Sequence, residues 1–503
     1  MSFTDQNLRM QKANNPGRFE QETLDPVDWE AFRRFAHSVL DEAVDYLQHV
    51  RERPVWQAMP EQKKQQLRES LPLQPLGMEN AFRELRTLIL PYPTGNIHPR
   101  FWGWVHGTGL ASGIISELMS ATMNSNCGGR DQAALYVERL VMDWCKEIVG
   151  YPAAASGLLL SGTSMGNIVA LTVARNSLDD TDVRMHGIRE APRKLITYAS
   201  TEVHSSIVKG LELIGVGRDS LHKIAVCENF TLDIEALAQA IKDDREAGYK
   251  PFCVVGCAGT VNTGAIDNLT GIAEFCKSEG LWFHVDAAFG ALCGLSDVLR
   301  SRIKGIELSD SVAFDFHKWM YVQYDAGCVL VRNSELHRKA FTMRPAYLQT
   351  SQRGLAGGGE WFTDLGPELS RSFRALKIWF ALKTYGANAF ARMIEKNCQQ
   401  AHYLAELIES EPRLELLAKP TLNIVCFRYR PRDEWPEDQL DELNQRIVAI
   451  LQERGIAAPS TTVVQGKLAI RVAITNHRSQ DEDFRLLISA TLEIGPELID
   501  PPA

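Results

Sequence analysis

The sequence predicts an α/β protein with a mostly parallel β-sheet in a large domain, preceded by a helical arm and followed by a small α+β domain. Between Asn96 and Thr384, short β-rich runs alternate with helical stretches, as in parallel sheets that are covered by helices on both faces. The length of 503 residues exceeds what one hydrophobic core usually organises. Six prolines interrupt the chain between residues 54 and 93, before the alternating pattern begins.

Residues 1–95 are predicted to form the helical arm. Between Asp28 and Val50, apolar side chains recur at helical spacing, which predicts an amphipathic helix. The stripe consists of Phe32, Phe35, Ala36, Val39, Leu40, Ala43, Val44 and Leu47. Two interpretations fit this segment: an arm that wraps another subunit or domain, or a helix docked on the surface of its own chain.

Residues 96–385 are predicted to form the large domain, and residues 386–503 the small one. In the large domain, the apolar runs "KLITYAST", "PFCVVGCAGT", "LWFHVDAAFG" and "SVAFDF" predict strands. We expect helices in "SSIVKGLELIG", "NLTGIAEFCKSEG" and "HKWMYV". In the small domain, a helix from Glu437 to Arg454 lies between the predicted strands "NIVCFRYRP" and "KLAIRVAIT".

Charge and composition exclude several classes of function. The net charge of -9, without a basic run, argues against nucleic acid as the main partner. The first twenty residues are polar, and no run approaches the roughly 18 apolar residues of a membrane-spanning helix. The ten cysteines show neither a CxxC pair nor a zinc spacing, so no metal site is predicted and a reduced, cytoplasmic protein is expected.

Polar groups at the ends of the predicted strands indicate a ligand site, because ligands of open α/β sheets bind at the carboxyl ends of the strands. In "LLLSGTSMGN", Gly162, Thr163 and Ser164 lead from a strand into a helix, whose free N–H groups would favour an anion. The stretch matches neither a nucleotide P-loop nor a dinucleotide-binding loop. A capped helix without a ligand is the alternative interpretation.

Three further strand ends carry one reactive side chain each. His204 ends "YASTEVH" and could instead serve as a helix cap. Asp286 ends "LWFHVD", where desolvating a carboxylate is costly without a partner, and the small Ala287 and Ala288 leave room for a flat group. Lys318 follows "FDFH". In a partly desolvated pocket its amine would be a nucleophile, whereas a lysine that reaches water is the alternative.

Together these groups meet the needs of pyridoxal phosphate (PLP): an anion site, a carboxylate for the pyridine nitrogen, a group that stacks on the ring and an amine that binds the aldehyde. The same stretches resemble the group II PLP-dependent amino-acid decarboxylases, fold-type I enzymes that include aromatic-L-amino-acid, histidine, glutamate and cysteine-sulfinate decarboxylases. The resemblance extends over nearly the whole chain from about Leu24. Its motifs are "HPRFWGWV", "SGTSMGN", "STEVHSS", "GTVNTGAIDNL", "LWFHVDAAFG", "DSVAFDFHKW", "RALKIW" and "LAIRVAITN".

The resemblance implies a role for each matching position around the cofactor. Lys318 would hold PLP as an aldimine, Asp286 would pair with the pyridine nitrogen, and His204 would stack on the ring. The phosphate would lie at Thr163 and Ser164.

Other matching positions would complete the site. Thr260 and Ala288 would line the ring, His317 would lie beside the lysine, and Arg471 would lie near the substrate carboxylate. The resemblance also implies a homodimer with active sites at the interface, in which the N-terminal segment packs on the partner.

Two positions depart from the family. Asp315 stands where the animal enzymes have asparagine and adds a negative charge near the lysine. Phe362 stands at the position of a tyrosine that protonates the product carbon from a mobile loop, and no tyrosine follows Tyr347 in this loop. In relatives with phenylalanine there, the carbanion reacts with oxygen and gives an aldehyde, ammonia and peroxide. His204, which favours ordinary protonation, is nevertheless retained.

The pocket positions leave the substrate side chain open. Trp102, Trp104 and Tyr324 match aromatic pocket residues of the family, which favours an aromatic substrate, whereas His106 replaces a proline. Other nearby positions are more polar and would suit an acidic or a different side chain: Asn124, Asn126 and Arg130. The alternative is that all these residues belong to an interface core.

We therefore predict a PLP-dependent carboxy-lyase that decarboxylates an L-amino acid, with an aromatic side chain as the first expectation. The alternatives are an oxidative deaminase that forms an aldehyde, a PLP-fold binding protein without catalysis and, least favoured, an α/β binding protein without PLP. Intact Lys318, Asp286 and His204 argue against a loss of catalysis.

Overall fold

The computed structural model describes residues 23–178, 182–343, 351–431 and 435–499. Within these residues, the larger sheet has seven strands in the order β1-β7-β6-β5-β4-β2-β3. The strands are β1 (Ser156–Leu160), β2 (Leu195–Ser200), β3 (Leu221–Ile224), β4 (Lys250–Cys257), β5 (Trp282–Asp286), β6 (Ser311–Asp315) and β7 (Gly327–Val331). Strands β2 to β6 run parallel, and β7 is antiparallel to both of its neighbours. This confirms the predicted α/β class with a mostly parallel sheet.

Helices cover this sheet, and further helices precede and follow its strands in the sequence. Strands β2, β6 and β7 are buried at every position, as expected for a sheet with both faces covered. The helices of the described residues are α1 (Trp29–Gln48), α2 (Glu61–Gln66), α3 (Met78–Glu84), α4 (Ala111–Met123), α5 (Ala133–Val149), α6 (Thr163–Asn176), α7 (Val183–His186), α8 (Ser205–Leu213), α9 (Ile234–Glu246), α10 (Leu269–Glu279), α11 (Ser334–Phe341), α12 (Arg374–Tyr385), α13 (Ala387–Glu409), α14 (Glu437–Glu453) and α15 (Asp481–Ile499).

Helix α6 packs unusually close to the sheet, next to the strands that carry the predicted site. A Cβ atom at Gly166 would lie 2.9 Å from the Cβ of Ala313 in β6, so a larger residue would push the helix away. Glycine at this position therefore sets the distance between the N-terminus of α6 and the end of β6, where Lys318 follows.

The segment "HKWMYV" after β6 is not the predicted helix. Its backbone forms a tight reversal between β6 and β7, in which Phe316 N–H donates to Ala326 O at 2.9 Å and Val322 N–H donates to Phe316 O at 3.2 Å. These bonds join the two arms of the reversal instead of residues four apart. The helix prediction is wrong because β7 is antiparallel to β6 and needs only this short connection.

The C-terminal part contains a second sheet and a second hydrophobic core. The antiparallel strands are β8 (Leu414–Ala418), β9 (Ile424–Tyr429), β10 (Ser460–Val464) and β11 (Lys467–Ala473), in the order β10-β11-β9-β8. Trp102, from the predicted large domain, packs in this second core at 5.1 Å from the ring of Phe484. The domain boundaries after residues 95 and 385 stay predictions.

Helix α13 belongs to both cores. Phe390 and Ile394 pack in the first core, and Leu404 and Ile408 pack in the second. Between them, Asn397 Oδ1 accepts hydrogen bonds from Trp319 Nε1 at 3.1 Å and from Tyr321 Oη at 2.7 Å. The helix thus connects the small sheet with the reversal that carries Lys318.

The N-terminal helix α1 begins after Asp28, whose side chain accepts from the N–H groups of Glu30 and Ala31, as an N-cap does. All of α1 lies in the described part of the chain, and none of its side chains is buried there. Val44 of the predicted apolar stripe is 48% exposed. The other seven residues of the stripe are partly buried, so its own chain covers part of the stripe.

Across the described ranges, no helix is both long enough and apolar enough to span a bilayer.

Candidate active site

A cavity of about 360 Å³ opens at the carboxyl ends of β4, β5 and β6. Most of the residues that the sequence singles out line it: Trp104, His106, His204, Thr260, Asp286, Ala288, His317, Lys318 and Tyr324. Cavities of a few hundred Å³ at this edge of an α/β sheet are typical sites for small molecules.

Asp286 stands at the end of β5 with its carboxylate at the cavity wall, 5% exposed. Its Oδ2 atom accepts a hydrogen bond from Asn167 Nδ2 at 2.9 Å, and its Oδ1 atom accepts from the N–H of Ala288 at 3.2 Å. Two donors thus offset part of the cost of desolvating the charge. Asn167 was missed by the sequence reasoning, although it lies in the "SGTSMGN" motif.

Lys318 projects into the same cavity from the reversal after β6. Its Nζ atom is 3.1 Å from Asp315 Oδ2. The other oxygen of Asp315 accepts the N–H of Thr163 at 2.7 Å. Asp315, predicted among the cofactor-binding residues with the effect of its charge left open, therefore joins the lysine to the first turn of α6.

His317 is held beside this ion pair. Its Nδ1 atom accepts the N–H of Ala326 at 3.1 Å, and its Nε2 atom is 3.7 Å from Asp315 Oδ2. Burial lowers the pKa of His317, with Asp315 opposing the shift. The neutral ring with the proton on Nε2 satisfies both contacts.

His204 caps α8 and also lines the cavity, so the two interpretations of this residue are compatible. Its Nδ1 atom accepts the N–H of Ser206 at 3.2 Å. Burial lowers the pKa of His204, Asp286 opposes this shift, and Lys318 adds to it. The side chain is thus fixed by its own helix while its ring faces the cavity.

The first turn of α6 offers groups for an anion. Thr163 is buried, and its Oγ1 atom has no hydrogen-bond partner among the described residues. Ser164 is exposed at the same helix end. A phosphate would find an unused hydroxyl and the positive end of the helix dipole here. Neither residue is part of the cavity lining itself.

The donor set fits PLP. An amine, a carboxylate and an imidazole line one cavity, and the anion end at Thr163 is connected to the amine through Asp315. Ala288 contributes only a methyl group to the wall, which leaves space for a flat ring.

Three rings that contact one another also line the cavity. The rings of Trp104 and His106 stack with centroids 5.5 Å apart, and Tyr324 meets His106 edge-on at 6.1 Å. Burial lowers the pKa of His106 and raises that of Tyr324, so both side chains are neutral near pH 7. Trp104 and Tyr324 remain about half exposed.

Glu202 also lines the cavity and was missed by the sequence reasoning. Its Oε2 atom accepts from Asn262 Nδ2 at 2.9 Å. The available signal was its position in "STEVHSS", two residues before His204 and therefore near the same strand end.

Arg471 and Phe362 do not line the cavity among the described residues. Arg471 is buried one layer behind it, where its guanidinium donates to Trp104 O at 2.9 Å and to Asn262 O at 3.2 Å. Burial lowers the pKa of Arg471 to about 10.

Phe362 is a core residue in this chain, 6% exposed, with its ring 5.1 Å from the guanidinium of Arg371. It opens a short 3₁₀ turn, Phe362–Asp364. Tyr347, at the start of the predicted mobile loop, lies outside the described residues. Arg130, which was considered for an acidic substrate, stacks on Trp361 at 4.8 Å.

Comparisons with known proteins show which chains and folds this protein is similar to. Residues 60–430 match the family model of the pyridoxal-dependent decarboxylase conserved domain. The chain is 32% identical to an aromatic-L-amino-acid decarboxylase of Bacillus atrophaeus over 472 residues, which cover 93% of this chain and 96% of the relative. It is 28% identical over 471 residues to a phenylacetaldehyde synthase of Petunia hybrida, covering 90% of this chain and 92% of that protein. The crystal structure of Oryza sativa TDC with PLP and tryptamine superposes with a TM-score of 0.87 at 25% identity, covering 95% of this chain and 100% of the other.

Proposed function

Because the chain belongs to the pyridoxal-dependent decarboxylase family, and is therefore an enzyme that uses PLP, we propose that it decarboxylates an aromatic L-amino acid. One observation carries this proposal. Lys318, Asp286 and His204 line a single cavity together with the rings of Trp104 and Tyr324.

In the proposed site, PLP when bound supplies an electron sink for the pair of electrons left by departing CO2. Lys318 Nζ provides the amine that attaches the cofactor, and Asp286 provides the carboxylate for its ring nitrogen. His204 covers one face of the ring, and Thr163 with Ser164 holds the phosphate. Asp315 orients Lys318 by its contact of 3.1 Å.

An aromatic substrate suits the charges as well as the rings of the cavity. Glu202 lines it, and Asp286 and Asp315 lie at its wall or next to it, so a second carboxylate on a substrate would meet like charges. The basic Arg471 is engaged with backbone oxygens behind Trp104. Flat, neutral side chains would instead stack against Trp104 and Tyr324.

Oxidative deamination is the second candidate, favoured by the absence of tyrosine between residues 351 and 373, a stretch that the structure describes in full. In that reaction one amino acid, one O2 and one water give an aldehyde, CO2, ammonia and H2O2. The similarity to a phenylacetaldehyde synthase supports keeping this candidate.

The products decide between the two candidates. Purified enzyme with PLP should release CO2 from aromatic amino acids, and acidic and basic amino acids serve as comparison substrates. Amine without oxygen uptake supports simple decarboxylation, whereas aldehyde with equimolar peroxide supports the oxidative reaction. If the parent enzyme forms the aldehyde, the Phe362→Tyr variant should form a larger share of amine. An unchanged product ratio in this variant would remove Phe362 from the explanation.

The attachment of PLP is tested at Lys318. Borohydride should fix the cofactor to the peptide that contains Lys318, as mass spectrometry of a digest would show. Lys318→Ala should lose this label, whereas Lys277→Ala, at an exposed position of α10, should keep it. A label that persists in Lys318→Ala would contradict the proposal.

We also propose that the enzyme is a homodimer. Val44 of the α1 stripe is exposed, and α4 exposes four large apolar side chains: Ile115, Leu118, Met119 and Met123. Patches of this kind often mark protein contacts. Sedimentation equilibrium should give twice the chain mass, and Leu118→Asp should shift the equilibrium toward the monomer. A monomeric parent enzyme would contradict this.

The cysteines support a reducing compartment, which we propose is the cytoplasm. All ten belong to the described residues and are free thiols, nine of them buried.

A further inference from the structure

A continuous chain of hydrogen bonds leads from Asp286 into the core. Asp286 Oδ2 contacts Asn167 Nδ2, Asn167 Oδ1 contacts His284 Nε2, and His284 Nδ1 contacts Ser311 Oγ, each at 2.9 Å. Trp282 Nε1 ends the chain at 2.9 Å from the same Ser311 oxygen. We call these five residues the Asp286 relay.

The donors and acceptors of the Asp286 relay can be assigned from its chemistry. The indole of Trp282 can only donate, so one lone pair of Ser311 Oγ accepts from it. We assign the Ser311 hydroxyl proton to the contact with His284 Nδ1, because an ionised Asp286 turns the Asn167 amide oxygen toward His284 Nε2 and thereby makes Nε2 the donor. His284 then carries its proton on Nε2 and donates to Asn167 Oδ1. The amide nitrogen of Asn167 is left to donate to Asp286, which an ionised carboxylate requires.

The surroundings of His284 agree with this assignment. The ring is fully buried, and burial lowers the pKa of His284 to about 4. The neutral ring therefore has one proton to place near pH 7. The second Asn167 amide contact, to Ser206 Oγ at 3.0 Å, lies on the same nitrogen that faces Asp286. Both contacts fix the amide in the same orientation.

The opposite polarity would need a different state of Asp286. If His284 carried its proton on Nδ1, the Asn167 amide would turn, and its oxygen would face Asp286 Oδ2. Two acceptors in contact repel each other unless Asp286 is protonated. The tautomer of His284 and the charge of Asp286 are therefore coupled through Asn167.

We propose that Asn167 and His284 are positioning residues, which keep Asp286 ionised and oriented toward the ring nitrogen of PLP. This inference rests on the proposed role of Asp286 in the decarboxylase site. Neither residue contacts the cavity, and both act through the carboxylate. The β-sheet brings the members of the Asp286 relay together. His284 and Asp286 are two residues apart in β5, so their side chains lie on the same face of the strand.

Two variants and one matched control test the proposal. Asn167→Asp places an acceptor against Asp286 and should weaken PLP binding by about tenfold or more. Ser311→Ala removes the donor to His284 Nδ1 and should change the visible circular dichroism of bound PLP. Thr197→Val removes a fully buried hydroxyl of the same sheet that has no partner among the described residues. It should change neither the PLP affinity nor the spectrum.

The tautomer is measured directly by NMR of ¹⁵N-histidine-labelled enzyme, with and without PLP, using His284→Gln for assignment. Nε2–H is the expected form of His284. An Nδ1–H form, or relay variants whose PLP affinity and spectrum match those of Thr197→Val, would overturn the proposal. Failure of the parent enzyme to bind PLP would contradict the proposed function instead, while the tautomer in the cofactor-free chain would still test the hydrogen-bond assignment.

Discussion

The buried ion pair between Glu138 and Arg371, beside Phe362, should contribute strongly to the free energy of unfolding. Both side chains are about 1% exposed. Glu138 Oε2 accepts from Arg371 Nη1 at 3.0 Å, and Glu138 Oε1 accepts from Arg371 Nη2 and from the N–H of Leu159. Glu138→Gln keeps the shape but removes the hydrogen-bonded counter-charge of a buried guanidinium, which leaves only Glu368 Oε2 at 4.0 Å from Arg371 Nε. We expect the free energy of unfolding to fall by about 3–5 kcal/mol.

A double variant separates the charge from the hydrogen bonds. Arg371 also donates to Cys127 O at 2.9 Å and to Leu159 O at 2.7 Å. Glu138→Leu with Arg371→Met removes both charges, yet leaves these two carbonyl groups and the Leu159 N–H without partners. Each unmade bond costs about 1–3 kcal/mol. The double variant should therefore remain at least ~3 kcal/mol less stable than the parent.

Urea unfolding of the holoenzyme, followed by tryptophan fluorescence, measures both effects. Glu360→Gln is the control, because its ion pair with Arg338 has a similar length of 2.7 Å but is more than 40% exposed on both sides. It should cost less than about 1 kcal/mol. A Glu138→Gln variant no less stable than this control would refute the reasoning, and so would a double variant as stable as the parent.

Three further predictions concern pH and the cavity. Burial lowers the pKa of His284 and His337 to about 4. Between about pH 6.5 and 4 the unfolded chain therefore binds more protons at these two residues than the folded chain does. The urea midpoint should fall as the pH is lowered through this interval. Asp267, whose pKa burial raises to about 6, opposes part of this loss, and a midpoint that rises on acidification would contradict the histidine assignment. Glu202→Gln should raise kcat/KM for acidic amino acids relative to aromatic ones by about tenfold, since it removes a like charge, and an unchanged ratio would exclude Glu202 from specificity. Tyr324→Phe keeps the ring, so KM for aromatic amino acids should change less than about threefold, and a larger increase would assign binding to the hydroxyl.

The strands and the cavity could be predicted because they depend on local patterns. Apolar runs identified β5, which ends at Asp286, and β6, which Lys318 follows. The carboxyl ends of parallel strands meet at one edge of a sheet, so these side chains were expected to lie close together. Each residue was ambiguous by itself. Their combination was informative because the topology brings them into one cavity.

Other parts of the site depend on contacts between distant segments, which no local pattern records. Asn167 and His284 read as ordinary residues of a helix and a strand until their separation of 2.9 Å is known. The reversal after β6 has apolar residues at helical spacing, yet it is set by pairing with Ala326. The position of Phe362 was assigned from the resemblance to the family, whereas its burial beside Arg371 depends on the fold.

Helix α13 has a mechanical consequence for the site. At 23 residues it is about 35 Å long, anchored at one end in the first core and at the other in the second. A tilt of the small sheet would displace this helix, and Asn397 would pass the displacement to Trp319, the neighbour of Lys318. The position of the reactive amine thus depends on a hydrophobic core outside its own cavity. Mutations in that second core should therefore change the orientation of Lys318.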